Sequence, residues 1–457
     1  MLIRFSVQNL LSFKGRVTFS MLPGKGLLKK EHKTAPVKGV SVLKTGIVLG
    51  ANASGKSNLI KAIAFGKMLI LKGTAINQPI EYVPFKLDSA CRKKDSRIEY
   101  EIQIKGKNYA YGFTFNSKRI EEEWLYELSK KGEKKIFERT AKAENIFDIE
   151  PLLKLNKSSE EKQFLLFLTK ATPDNQLFLH EILTRRMKDN VSNIDDLQNV
   201  LDWFINSLKV IFPDDKYKEG IKSEVTNNEK VQRIYEELLR YFDTGIDGIC
   251  LKDVELSKIG IPEKVLQKIK DDLSNIKSDN VRSLLSTQEN TYFISIDKNK
   301  LKAQKFMTKH QVKGTSKPEY FDTADESDGT NRIIDYIPLI IDLLKGDKVF
   351  IIDEMERSLH PNLIYDLFDL FLSHCDGVTS QLIISTHESS LLTQKLLRKD
   401  EIWFAVKDEE GASQLHSLED YNVRFDKEIR KDYLLGRFKG VPRLRSRYDL
   451  TELFNFK

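Results

Sequence analysis

The stretch GANASGKSNL, residues 50–59, follows the apolar run KTGIVLG and decides how the whole chain is read. Gly50, Gly55, Lys56 and Ser57 satisfy G-x-x-x-x-G-K-[ST] between an expected buried strand over 46–50 and an expected helix from Ser57, the context this motif requires. Its glycines let the backbone curl until amides point inward at phosphate oxygens, and the helix start adds a positive end. Asn52, Gly55, Lys56, Ser57 and Asn58 then form an expected nucleotide-binding loop. In it Lys56 reaches the β- and γ-phosphates of ATP and the Ser57 hydroxyl ligates Mg2+. Downstream, SNLIKAIAFGKMLILK places Leu59, Ile60, Ile63 and Met68 on one helical face.

About three hundred residues later, KVFIIDEMERSLHP offers four apolar residues and then two acids. This is a Walker B pattern. Asp353 is expected to hold Mg2+ and Glu354 to orient or deprotonate the attacking water, which explains adjacent carboxylates ending a buried strand. Two more stretches narrow the class. LIISTHESSLL ends another apolar strand at Ser385 and Thr386, leaving His387 at the sheet edge where a γ-phosphate would lie. DESDGTNRIIDYIPLI places Ser327, Gly329 and Thr330 at a helix start, where Ser327 or Asp328 would equally serve as a simple cap.

The 457 residues, 40% hydrophobic and 31% charged, supply enough chain for more than one domain. A formal charge of +7 permits nucleic-acid contact without arguing for it. Cys91, Cys250 and Cys375 lie far apart, with neither zinc spacing nor a disulfide framework, so a reducing cytoplasm is expected. The start, MLIRFSVQNLLSF, alternates like a strand and lacks the features of a signal peptide, and no apolar run reaches membrane-spanning length.

Residues 1–20 read as two strands around SFKGR, and period-two alternation over 81–139 predicts an antiparallel sheet. The stretch 141–290 reads as an inserted helical region without a sustained heptad repeat, and 291–313 as a hairpin. Seven lysines between 298 and 317 are read as solvated strand edges, with a nucleic-acid patch as the alternative. Strands alternate with helices thereafter, the rhythm of a mostly parallel sheet. The expected fold is therefore α/β, with an ATPase head built from 1–140 and 291–457 and a helical insertion over 141–290.

Taken in order, these stretches resemble the ABC-type P-loop ATPases of the SMC, RecF and OLD kind, and most nearly the AAA-labelled ATP-binding proteins of bacterial abortive-infection and phage-defence operons. The resemblance rests on FSVQNLLSFKGRVTFSM, GANASGKSN, YVPFKLD, ESDGTNRI, the Walker B stretch with ERSLHP, STHESSLL, DEIWFAVKDEEG and YLLGRFKGVP. It implies a head with a mixed sheet and an antiparallel subdomain, binding and hydrolysing ATP with Mg2+. It also implies a homodimer joined through ATP-bound heads, with higher oligomers left open. Ser327, Gly329 and Thr330 of one chain would cap the nucleotide of another, His387 would be the switch histidine, and Ser358 with Leu359 the D-loop. SDGT stands where LSGGQ is usual, and only Gln78 offers itself as a Q-loop glutamine. The implied role is the sensor or regulatory subunit of a defence complex controlling a separate effector, a nuclease or toxin, without membrane involvement. The alternative is a DNA-repair or chromosome-handling ATPase that clamps DNA with the Lys298–Lys317 cluster and the basic stretch GRFKGVPRLRSR.

Overall fold

The computed structural model describes residues 1–26, 28–141, 145–156, 158–187, 190–215, 217, 229–274, 282–286, 291–297, 300–421 and 428–441. The chain divides into two compact units. One comprises Met1–Pro213, Gly346–Met355 and Phe368–Lys457, the other Asp214–Lys345 and Glu356–Leu367.

The first unit opens with β1 (Leu2–Gln8) and β2 (Val17–Ser20), the two strands expected around SFKGR, followed by β3 (Thr45–Leu49) and α1 (Lys56–Lys72). Then come β4 (Ser96–Ile104), β5 (Lys107–Phe115), β6 (Ile120–Ser129), β7 (Gly132–Ala141) and the short β8 (Asn145–Asp148). These strands, without β3, make a seven-stranded antiparallel sheet in the order β2-β1-β4-β5-β6-β7-β8. The turn expected at KGKN is closed by Lys105 and Gly106, whose φ values of 47° and 76° suit the twist of a tight hairpin. Alternation sorts the faces: Ile98, Tyr100 and Ile102 pair with Phe113, Tyr111 and Tyr109 on the buried side. Tyr100 donates to the carbonyl of Ile63 at 2.7 Å, tying α1 to this face. The outer face is charged, with Arg4 against Glu101, Arg16 against Glu99, and Arg97 lying over the Trp124 ring.

Helices α2 (Glu150–Leu155), α3 (Ser159–Ala171), α4 (Phe178–Thr184) and α5 (Asp195–Asp202) lead to β9 (Leu208–Ile211). The second unit continues with α6 (Glu229–Tyr241), β10 (Gly248–Val254), α7 (Glu263–Ser274), β11 (Arg282–Ser286), β12 (Thr291–Asp297), β13 (Lys300–Gln311), β14 (Pro318–Asp322) and α8 (Asp328–Lys345). Its sheet runs β10-β13-β12-β11, with β14 also paired to β13. Helix α6 is fastened to α8 by Tyr235, whose buried hydroxyl donates to the Ile334 carbonyl at 2.8 Å.

The chain then supplies β15 (Val349–Ile352), α9 (Pro361–Ser373), β16 (Gln381–Ser385), β17 (Ile402–Lys407), β18 (Ser413–Ser417) and α10 (Ile429–Leu434). These complete a six-stranded sheet in the first unit, ordered β18-β17-β3-β16-β15-β9 and parallel except for β18. Every residue of β3, β15 and β16 is buried, which is why these strands are continuous apolar runs rather than alternating ones. A mixed sheet beside an antiparallel one, joined through a P-loop helix, is the ABC-type head the sequence led us to expect.

The stretch 141–290 is mainly helical, as expected, yet it also holds β8, β10, β11 and β9, which is the edge strand of the mixed sheet. Residues 203–211, WFINSLKVI, contain too short an apolar run for periodicity to separate strand from helix. The hairpin expected over 291–313 is β12 and β13, but β13 is an interior strand, so its lysines are not the edge guards they were read as.

A buried carboxylate fixes the join between the antiparallel sheet and α4. Glu123 on β6 accepts from the amides of Phe178 and Leu179 at 2.6 and 3.0 Å and from the Tyr111 hydroxyl at 2.9 Å, with Arg139 at 4.0 Å. Burial raises its pKa against the opposing pull of Arg139. The fold therefore holds this proton more tightly than the unfolded chain does. The stability it contributes is full below the unfolded carboxyl value and is lost as pH rises through the folded one. In urea unfolding between about pH 4 and 8, Glu123→Gln is expected to remove that slope. Glu123→Ala, which leaves the Tyr111 hydroxyl and the amides of Phe178 and Leu179 without their acceptor, is expected to cost about 3 kcal/mol.

Candidate functional site

The site is built at the C-terminal edge of the mixed sheet, where β3 runs out into the loop 50–55. Gly50 has no room for a side chain: a Cβ would lie 2.5 Å from the carbonyl oxygen of Ala405 and 2.6 Å from Ser54 Oγ. Gly55 sits at φ 111°, caps α1, and would drive a Cβ to 2.1 Å from Ser413 Oγ. Ala53 between them also takes a positive φ, 61°. The loop thus curls tightly, as the motif requires, and it is clasped from outside by Ser413, which donates to the carbonyl of Ser54 at 2.7 Å. Lys56 is 4% exposed, its Nζ donating to the carbonyls of Gly50 and Ala51 at 2.9 and 3.2 Å and standing 3.5 Å from His387 Nδ1. Asn52 is exposed on the loop, while Ser57 and Asn58 are half-buried on the first turn of α1.

Two strand ends close on this turn. Asp353, immediately after β15 and buried, accepts from Ser57 Oγ at 3.1 Å and from the hydroxyl of Ser385, the last residue of β16. Ser385 in turn accepts from the amide of Glu354 at 3.0 Å. Glu354 is half-buried and held at φ 46°, a left-handed conformation that a non-glycine residue rarely adopts and that its surroundings must enforce. Thr386 donates its amide to the carbonyl of Val48, which aligns the next residue, exposed His387, with the loop after β3. Lys56, Ser57, Asp353, Glu354 and His387, drawn from three strand ends of the first unit, are therefore brought together.

The remaining expected residues lie in the second unit. Ser327 accepts from the amide of Thr330 at 3.1 Å, and the two hydroxyls are 2.9 Å apart, so Ser327 is the cap of α8. Gly329 abuts Ser358, whose carbonyl oxygen would be 2.9 Å from a Cβ placed there. Ser358 is exposed at φ 66°, while Leu359 is buried. The stretches expected to be the signature and the D-loop are thus side by side. Gln78 is a different matter. It follows the end of α1, and seventeen helical residues carry the chain about 25 Å from Ser57, so it cannot serve the metal position. Of the lysine cluster, Lys302 and Lys305 are paired with Asp253 and Asp322. Lys298 and residues 442–447 of the basic stretch lie outside the described residues.

The arrangement fits a nucleoside triphosphate with a hard divalent cation. Phosphate oxygens need a backbone cradle, a cation and hydroxyl donors. The loop offers a curl too tight for a Cβ at Gly50 or Gly55, a buried lysine held at its mouth, and the buried Ser54 Oγ, which has no hydrogen-bond partner among the described residues. Ser57 and Asp353 would hold Mg2+, a cation bound by few protein oxygens together with phosphate and water. Accordingly, among the described residues no group of three or more His, Cys, Asp and Glu side chains is disposed to hold a metal without the phosphates.

Sequence reasoning passed over the supporting wall. Gly440 packs within 3.7 Å of the Gly50 Cα, measured from a Cβ built on it, and Tyr433 and Phe438 stack on Phe404 of β17 with ring centroids 5.6 and 4.9 Å away. Residues 433–441, YLLGRFKGV, are thus a buttress behind the P-loop. Their aromatic spacing was the available signal. For Ser413 and Ser12, linked at 2.8 Å beside the loop, the sequence carries none.

Comparison with known proteins follows this geometry. A family described as "AAA domain, putative AbiEii toxin, Type IV TA system" matches residues 47–393. No curated protein matches the chain. Among solved structures, similarity is found to an Smc head bound to the C-winged helix domain of ScpA, at 12% identity and a TM-score of 0.38 over 91% of this chain and 97% of that one. The SMC head domain from Thermotoga maritima gives 9% identity and a TM-score of 0.36, covering 91% and 98%. An Smc head with an extended coiled coil, bound to the C-terminal domain of ScpA derived from Pyrococcus furiosus, gives 13% and 0.38, covering 96% and 99%. Among the described residues no helix is long and apolar enough to cross a membrane. With three quarters of its length matched, from β3 to just beyond His387, the chain belongs to the AAA_21 family of AAA domains.

Proposed function

We propose that this protein binds ATP with Mg2+ in the loop 50–57 and hydrolyses it between two copies of the chain. The observation that carries the reading is the meeting of Ser57, Asp353 and Ser385 beside Lys56, from positions about three hundred residues apart. Bound at Ser57 and Asp353, Mg2+ would neutralise charge on the β- and γ-phosphate oxygens. The loop amides and the Lys56 ammonium then orient the triphosphate. To do so Lys56 exchanges its carbonyl partners for phosphate oxygens, a stronger charge-assisted contact. Glu354, fixed by its amide bond to Ser385, aligns the attacking water and takes its proton. His387, beside Lys56, donates toward the γ-phosphate. Ser327, Gly329 and Thr330 of a second copy cover the nucleotide from the far side, which would make ATP the link of a head-to-head dimer.

The family's description in terms of an AbiEii toxin and a type IV toxin–antitoxin system supports a defence setting. We take the chain to be the ATP-dependent regulatory subunit of an anti-phage complex in the cytoplasm, acting on a separate effector such as a nuclease or toxin. Purification with the products of neighbouring genes in ATP is the direct test of that role, and recovery of the chain alone would count against it.

Three measurements test the chemistry. Lys56→Ala should abolish the heat of Mg-ATP binding in calorimetry, and equal binding by this variant would end the reading. Glu354→Gln should keep ATP affinity while lowering turnover about 10²- to 10⁴-fold, followed as phosphate release, and should accumulate a dimer in ATP seen by light scattering. Gly440→Val, which presses on Gly50 and Tyr433, should weaken ATP binding about tenfold or more while the chain still unfolds cooperatively.

A further inference from the structure

Strand β13 has a second role beyond its sheet. Thr308 and His310 share one face of it, two residues apart, whereas Lys309 between them points the other way and is exposed. The chain turns, returns as β14 with Phe321 opposite Thr308 and Glu319 opposite His310, and makes a short 3-10 turn over Thr323–Asp325. The next residue is Glu326. Its side chain is 7% exposed and folds back onto β13, where Oε1 accepts from Thr308 Oγ1 at 2.5 Å and from His310 Nε2 at 2.7 Å. The ring of Phe321 covers His310 with centroids 4.6 Å apart. Asn331, one turn into α8, donates to the main-chain oxygens of Glu326 and Thr323 at 3.2 and 2.9 Å. Glu326 is therefore gripped at its side chain by the sheet and at its carbonyl by the helix, and the residue after it is Ser327.

We infer that Glu326, Thr308 and His310 form a clamp that positions the Ser327–Thr330 signature for the nucleotide of a second copy, so that β13 sets the presentation of the signature. Such a placement has a physical rationale. A cap that must meet a phosphate on another molecule has to be fixed before the encounter, because contacts ordered only on binding weaken it. Ser327, exposed and capping its own helix, has few restraints of its own. The buried carboxylate one residue earlier supplies them, and none of the three clamp residues belongs to the ATP loop. They are positioning residues, and the inference rests on the reading of Ser327–Thr330 as a signature acting in trans.

The test uses the full chain and separates four readouts: ATP affinity by calorimetry, turnover at saturating ATP, ATP-dependent dimerisation in a Glu354→Gln background, and thermal unfolding. Glu326→Ala and His310→Ala should each lower saturating turnover and dimerisation about tenfold or more, with ATP affinity within about twofold of the parent. Glu326→Gln, whose amide oxygen still accepts from Thr308 and His310, should restore turnover to within about threefold, and the double Ala variant should be no worse than either single one. Ser327→Arg, which blocks the signature directly, is the control for the underlying reading. If Ser327→Arg abolishes dimerisation while Glu326→Ala and His310→Ala turn over normally, the clamp is wrong and the signature stands. If Ser327→Arg is also without effect, the trans reading fails and the clamp with it. A fall in ATP affinity or cooperative unfolding parallel to the fall in turnover would mean general damage and would overturn positioning.

Discussion

A single buried carboxylate ties together the edge of the mixed sheet where the loop 50–57 lies. Asp353 accepts hydrogen bonds from Ser57 at the start of α1 and from Ser385 at the end of β16, so one side chain registers a helix against two strands. Its burial makes the bonds mandatory, because an acid left there without partners would cost several kcal/mol. Everything else at the edge takes its place from this point. Ser385 passes the constraint to the amide of Glu354, and the parallel pairing of β16 with β3 aligns His387 with Lys56. The oxygen that satisfies Ser57 within the protein is the one that, in the function we propose, would face a magnesium ion.

The second unit is organised on a different principle. Its central strand β13 presents alternate residues to opposite faces, Lys305 paired with Asp322 on one and Thr308 with His310 on the other. The helix α8 leaves this sheet through Glu326 and Ser327, and its first turn meets the backbone of Ser358. Local hydrogen bonds of Glu326 and Asn331 hold the start of α8 against β13.

How much of this was legible in the sequence depends on the range of the interaction. The Walker loop, the acids after VFII and the histidine after LIIST announce themselves because a buried parallel strand must be apolar throughout and can turn polar only at its end. The antiparallel hairpins were legible from alternation. What escaped notice depends on three-dimensional neighbours without a local pattern. The strand β9 is a run of four residues inside helical text, and Ser413 looks like any serine until Gly55 is placed beside it. Gln78 was assigned by residue type alone, and the length of α1 removes it from the site. The lysines between 300 and 317 read as an edge because the order β10-β13-β12-β11 cannot be inferred from sequence adjacency.

The placement of β3 also governs how the molecule is made. Its neighbours in the sheet are β16 and β17, so a wholly apolar strand completed at residue 49 has no partner until the ribosome has passed residue 400. At roughly 10 residues per second that interval is on the order of half a minute. The antiparallel sheet beside it, in contrast, pairs mostly neighbours in sequence and is complete once residue 148 has emerged. The strands of the antiparallel sheet are therefore all made well before the mixed sheet has its central partners.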